Sequence, residues 1–299
     1  MAGAAALVLI TGATGQVGTA LVRRLVTSGR PVRCLVRDPR RLGPERVRVQ
    51  IALGDLTDPP SFRNALRGVK TVVHLAASGR DQPRGSIEEL NGVATWRLVQ
   101  AAERAGVEHF VFFSALAASP HDRTRFLRAK ALAERAVGES ELRHTVFAPS
   151  LVFTPGDRHL TLLERLALLP IVPLPGRGRA LFQPIWADDV ADCVVAALDR
   201  DGDAAARYEL AGPDTLTHAA VADLALRAAG RQRPLVPLPE AVTRAGLRTI
   251  EAMMKSKAPA TWDEAELLQV SMTSRHGTAD AESLGVTPRS MAAVLGARS

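Results

Sequence analysis

The run Leu7-Val8-Leu9-Ile10 passes without a break into Thr11-Gly12-Ala13-Thr14-Gly15-Gln16-Val17-Gly18, and a helical pattern follows at once. A short apolar strand, glycines at every third position and a helix start leave few folds open to the chain. In such a turn Gly12 permits the tight bend, Gly15 lets the backbone come close to a pyrophosphate, and Gly18 allows the helix to pack against the strand. The helix start, with Thr14, Gln16 and Val17 around it, offers free N–H groups and a positive dipole end to phosphates. A merely tight strand–helix turn is the competing reading. It accounts for the glycines but not for their placing at the first strand of a strand–helix–strand unit.

The first half continues in the same alternation. Strands are expected at Leu7–Thr11, Val32–Val36, Val47–Ala52, Thr71–Leu75, His109–Ser114 and Thr145–Ala148, and helices at Gln16–Thr27, Ser61–Leu66, Ile87–Ala105 and Arg125–Val137. The strands are continuous apolar runs, as expected where both faces are covered. The pattern predicts an α/β fold: a Rossmann-type, doubly wound parallel sheet with a smaller, mainly helical C-terminal lobe. Residues 1–150 form the dinucleotide-binding domain in this reading, with 183–212 returning to it. Residues 151–182 and 213–299 form the lobe. The apolar stretch Leu160–Pro175 is expected as a lid over a hydrophobic substrate or quinone, with packing into the core or against a partner as the alternative.

Composition narrows the remaining classes. Of 299 residues, 46% are apolar and 23% charged, which suits a globular chain with a sizeable core. The net charge of +7 comes from scattered arginines, with no basic tail and no basic stripe interleaved with aromatics, so no nucleic-acid partner is expected. Cys34 and Cys193 sit in apolar runs and read as buried thiols, with no metal site. The opening MAGAAALVLI has the apolar character of a short signal core, but no basic segment precedes it and a first strand explains it better. No stretch has the ~20 apolar residues that span a bilayer. A cytoplasmic setting follows as the default.

The end of the second strand selects between cofactors. NAD sites place a carboxylate there for the ribose 2′-hydroxyl. This chain reads Val36-Arg37-Asp38, and the Arg37 guanidinium stands where it can pair with a 2′-phosphate. NADP(H) is favoured, and Asp38 keeps NAD(H) open.

With these residues in place, the chain resembles the atypical, extended short-chain dehydrogenase/reductase superfamily, most closely its NmrA-like group and the nucleotide-binding accessory subunit of respiratory complex I. The resemblance runs over about residues 7 to 215. Besides the glycine turn it rests on Gly54-Asp55-Leu56, His74-Leu75-Ala76-Ala77, Asn91, Phe147-Ala148-Pro149-Ser150 and Gln183-Pro184-Ile185-Trp186-Ala187-Asp188-Asp189-Val190. It implies that Asp55 and Leu56 lie near the adenine, that Ala76 and Ala77 run beside the cofactor, and that Pro149 meets the nicotinamide end.

One departure bears on chemistry. The superfamily's Tyr-x-x-x-Lys pair puts two side chains on one helical face, the lysine lowering the tyrosine pKa for proton transfer. Here Phe126 takes the tyrosine's place ahead of Lys130, and Tyr208, the only tyrosine, is expected in the second lobe. Lys130 and Ser114 are the remaining catalytic candidates, and Lys130 is also a candidate to hold the nicotinamide ribose. The bland readings are a surface pair with Glu134 for Lys130 and a turn-capping hydroxyl for Ser114. His74 reads as a core histidine, His121-Asp122 as a solvated loop, and Asp188 and Asp189 as helix caps. Two functions remain. One is an NADPH-dependent oxidoreductase acting on a hydrophobic acceptor such as a quinone or an enone. The other is a non-catalytic NADP(H)-binding sensor, scaffold or assembly protein with a protein partner.

Overall fold

The computed structural model describes residues 6–200 and 205–296; residues 1–5 of the opening apolar run lie outside them. Seven strands make one sheet: β1 (Leu7–Thr11), β2 (Val32–Val36), β3 (Gln50–Leu53), β4 (Val69–His74), β5 (His109–Phe113), β6 (Arg143–Pro149) and β7 (Ala205–Leu210). Their spatial order is 7-6-5-4-1-2-3, and every neighbouring pair is parallel. The chain reverses its direction of winding between β1 and β4, the place where open α/β sheets leave a crevice at the strands' carboxyl ends.

Successive strand residues serve opposite faces, which is why the strands carry no polar alternation. Val8 and Ile10 of β1 join Val111 and Phe113 of β5 in one core, against helices α1 (Gln16–Thr27) and α4 (Ala187–Leu198). Leu9 joins Phe110, Phe112 and Val146 on the other face, under α2 (Ala94–Arg104) and α3 (Arg125–Gly138). Leu9 and Ile10 are fully buried, and each such side chain contributes about 1.5–3 kcal/mol. Asp188 and Asp192 of α4 hold Arg24 of α1.

Three expectations change. The third strand starts at Gln50 rather than Val47, because Pro39–Val47 winds into tight turns that leave Val47 in solvent. Tyr208 lies on edge strand β7 of the main sheet, stacked on Phe147 at 5.5 Å, and not in the second lobe. Leu160–Pro175 is divided: one side packs inward, while Leu168, Leu169 and Ile171 are exposed. Its helix, Arg158–Leu166, is capped by Asp157 and buries Leu160 and Leu163. Val172 and Leu174 join them in a core shared with Val221, Ala222 and Leu226 of helix His218–Ala228.

Candidate functional site

The site begins where β1 ends. Gly12 adopts φ +71°, and a Cβ there would lie 2.6 Å from the Ala76 nitrogen, so only glycine closes this turn. The Gly15 N–H donates to the Gly12 carbonyl at 2.9 Å. Gly15 is the N-cap of α1 with no side chain bonded over the helix end, which leaves the first-turn N–H groups around Gln16 and Val17 free for an anion. At Gly18 a Cβ would stand 2.2 Å from the Gly12 carbonyl oxygen, so helix and turn are in contact there.

This turn forms one wall of a cleft of about 600 Å³ at the ends of β1, β2, β3 and β4. Gly12, Thr14, Gly15, Arg37, Asp55, Leu56, Ala76 and Ala77 all line it, so most of the residues singled out as cofactor ligands meet in one place. Gln16, Val17 and Gly18 form the helix start beside it. Arg37 donates to Gln82 at 3.2 Å. The Asp38 carboxylate accepts from the Arg40 N–H at 3.0 Å, capping the turn that follows β2. That local bond occupies Asp38, while Arg41 adds a second guanidinium to the cleft wall. Burial pushes the Asp55 carboxyl up, but bonds from Thr57 and Arg84 prevail and hold it below its usual range.

A buried relay supports the floor. His74 bonds through Nδ1 to the Thr11 hydroxyl at 2.6 Å and through Nε2 to the Thr95 hydroxyl at 2.9 Å. Its burial, with the charge of Lys130 nearby, lowers the imidazole pKa to about 3, so it is a neutral core histidine, as read from the sequence. Asn91 lies in a π-helical turn, Glu89–Val93. Its amide takes the Ser78 N–H at 3.0 Å and gives to the Ser78 carbonyl at 2.8 Å, fixing the loop that carries Ala76 and Ala77. Wide turns of this kind are frequent at functional sites.

The catalytic candidates lie deeper. Lys130 is 3% exposed, so it is not the surface partner of Glu134. Its Nζ donates to the Phe113 carbonyl at 2.5 Å and sits 5.0 Å from the Phe112 ring centroid. Burial pulls the ammonium down to about 7, against the pull of the Glu134 charge. Ser114 is also buried and, instead of capping a turn, donates to Glu134, whose other oxygen accepts from Arg207 at 3.0 Å. Pro149 ends β6, its carbonyl taking the Leu116 N–H at 3.0 Å. None of these three lines the cleft. His121 is exposed and Asp122 bonds Thr124, as a solvated loop would. Asp188 and Asp189 are not caps: the N-cap is Trp186, and both carboxylates stand in the first turn of α4. Asp189 receives the Arg289 backbone N–H at 2.8 Å and its guanidinium at 2.7 Å.

Sequence reasoning missed Thr11, Ser78 and Gln82 on the cleft wall. Arg41, four residues beyond Arg37 at the same strand end, carried a signal of charge but was given no role. It also missed Arg80, a buried guanidinium that grips both oxygens of Glu264 and donates to the Ala258 carbonyl at 2.8 Å, tying the loop after β4 to the segment around helix Trp262–Leu267.

A parallel sheet with its reversal at β1 and β4, a glycine-lined helix start and an elongated cleft between them define a Rossmann-type dinucleotide-binding protein. The chain belongs to the NAD(P)H-binding family, which matches residues 12–201. It is 30% identical over 226 residues to an NAD(P)H azoreductase of Xenophilus azovorans, covering 75% of this chain and 74% of that one. It is also 30% identical over 228 residues to the mitochondrial NADH dehydrogenase [ubiquinone] 1 alpha subcomplex subunit 9 of Arabidopsis thaliana, covering 72% of this chain. It spans only 56% of that protein's length. The crystal structure of gox2253 superposes with a TM-score of 0.73 at 24% identity, over 97% of this chain and 95% of that one, and so shares the fold. The resemblance read from the motifs is borne out. No helix among the described residues is long and apolar enough to cross a membrane.

Proposed function

We propose that the chain is an NADPH-dependent reductase of a hydrophobic acceptor such as a quinone or an enone. The observation that carries this reading is the pairing of a phosphate cradle at Gly12–Gly18 with Phe126 one turn before Lys130. The cradle fits a dinucleotide: Gly12 leaves no room for a Cβ, and the start of α1 has no side-chain cap. The N–H groups around Gln16 and Val17 would hold the pyrophosphate. Arg37 and Arg41 would meet the 2′-phosphate, Asp55 and Leu56 the adenine end, and Ala76 and Ala77 the run toward the nicotinamide. Bound there, a reduced nicotinamide supplies a hydride.

Phe126 has no proton to give, so an alcohol or ketone that needs a phenol as acid or base is a poor substrate. A quinone or an enone takes the hydride at carbon or oxygen and completes its reduction with a proton from water. The similarity to an NAD(P)H azoreductase supports a reductase. The test is NADPH oxidation by the purified protein with a panel of quinones, enones and azo dyes. Turnover that falls with Arg37→Ala is expected, and tight NADPH binding with every acceptor inert would overturn it.

A second reading has an observation of its own. Ser114 and Lys130, the two catalytic candidates, are both buried and held in bonds to the protein itself. That arrangement suits a protein that binds NADP(H) as a sensor, scaffold or assembly factor with a protein partner, consistent with its similarity to a complex I subunit. The same acceptor panel separates the two.

A further inference from the structure

The helix Glu240–Met254 buries only Thr243. It is about 22 Å long at 1.5 Å per residue. Its inner side is settled. Thr243 is buried, Arg244 stacks on Trp262 at 4.6 Å, and Glu251 accepts the Trp262 N–H. Its outer side is a stripe at spacings of three and four: Val242, Ala245, Gly246, Thr249, Ile250 and Met253. Apolar side chains of this size normally turn inward, yet Val242 is 56% exposed, Ile250 36%, Met253 81% and the adjoining Met254 47%.

The charges around the stripe are of one sign. Arg248 borders it, and Lys255, whose φ of +52° ends the helix, leads into the exposed Lys257. The helix has two acidic residues. Glu240 is paired with Arg244 at 2.7 Å and Glu251 is turned to Trp262, so neither lies on the stripe. The whole chain is positive by seven charges. An apolar face without aromatic anchors, edged by exposed cations, matches the chemistry of a bilayer surface: apolar side chains enter the headgroup boundary and the cations meet lipid phosphates. Protein interfaces are depleted in lysine, whereas Lys255 and Lys257 flank this face.

We propose that helix Glu240–Met254 docks the protein on membranes that contain anionic lipid. Val242, Ile250 and Met253 enter the interface, and Arg248, Lys255 and Lys257 lie against the headgroups. This is reversible surface association, and it does not depend on what the cleft reduces.

The test uses the full chain and floated vesicles, either phosphatidylcholine alone or phosphatidylcholine with phosphatidylglycerol. Binding to the anionic vesicles is expected, and roughly tenfold weaker binding to the neutral ones or in about 0.5 M salt. The double variant Ile250→Glu/Met253→Glu loses roughly tenfold or more in vesicle affinity. Met253→Glu alone, at the 81% exposed position, weakens binding with the melting temperature unchanged, and NADPH binding is unchanged in both variants, because neither position lines the cleft. A second double variant, Lys255→Gln/Lys257→Gln, removes charge without touching the stripe and is expected to abolish the preference for anionic vesicles. Wild-type protein that stays unbound at low salt overturns the proposal, as does binding that neither variant alters. So does light scattering that finds a dimer dissolved by Ile250→Glu/Met253→Glu without vesicle binding, since a second copy would then be the occupant.

Discussion

Phe126 stands one helical turn ahead of Lys130, and the lysine Nζ lies 5.7 Å from the centre of its ring. The lysine is thus enclosed by Phe112, Phe126 and the Phe113 carbonyl, where charge is disfavoured. Its folded value of about 7 lies below the ordinary ~10.4 of a free lysine. Between those two values the unfolded chain binds the proton and the folded chain does not, so this group makes stability rise with pH across that window. Below about pH 7 the full cost of the buried charge is carried. Lys130→Met should therefore raise the melting temperature relative to wild type at pH 6, with the difference shrinking toward pH 10. Thermal melts across that range check it; a difference independent of pH would refute the assignment.

Gly12→Ala should damage the cradle before it damages the fold. The new Cβ meets the Ala76 backbone at 2.6 Å, and φ at +71° is strained for any L side chain. About 1–3 kcal/mol of stability should be lost. NADPH affinity should fall by more than the melting shift explains, because the Ala76 loop must move. Calorimetric titration alongside denaturant unfolding separates the two.

Arg37→Ala probes the 2′-phosphate reading. A charge-assisted contact of this kind contributes about 1.5–3 kcal/mol. NADPH affinity should therefore drop roughly tenfold or more, with NADH little changed. Equal losses for both cofactors would assign Arg37 to holding Gln82 instead.

Arg80, in the loop after β4, is tied to Glu264, 184 residues on. Removing Glu264 strands the buried Arg80 guanidinium, at a cost of about 3–5 kcal/mol. Arg80→Met leaves a Glu264 carboxylate that is 30% exposed and still accepts the Thr261 N–H; Glu264→Gln should therefore destabilise more than Arg80→Met, and the double variant by less than their sum. An additive cycle would show that the pair is not coupled.

The frame of this fold was legible because it depends on neighbours in sequence. β1, β2 and α1 lie at their expected bounds, since an apolar run, a glycine turn and a helix pattern are all local signals. The glycine turn, Arg37, Asp55 and Ala76 were likewise found at strand ends, where topology alone brings them to one cleft. What stayed hidden depends on partners far along the chain. Nothing near Asp189 announces Arg289, and nothing near Arg80 announces Glu264, so the first was read as a cap and the second passed unnoticed. Helical spacing offers Lys130 a surface pair with Glu134 as the alternative to a role at the site. The structure turns its side chain inward instead, because Ser114 and Arg207 take up that carboxylate.

The grip of Arg289 on Asp189 has a practical reach. The Asp189 carboxylate is only 2% exposed and depends on three donors from one late residue. Trimming the polypeptide ahead of position 289 would strand that anion inside the molecule, whereas a tag appended after it leaves the staple intact. Expression designs and limited-proteolysis fragments should be judged by which side of Arg289 they cut.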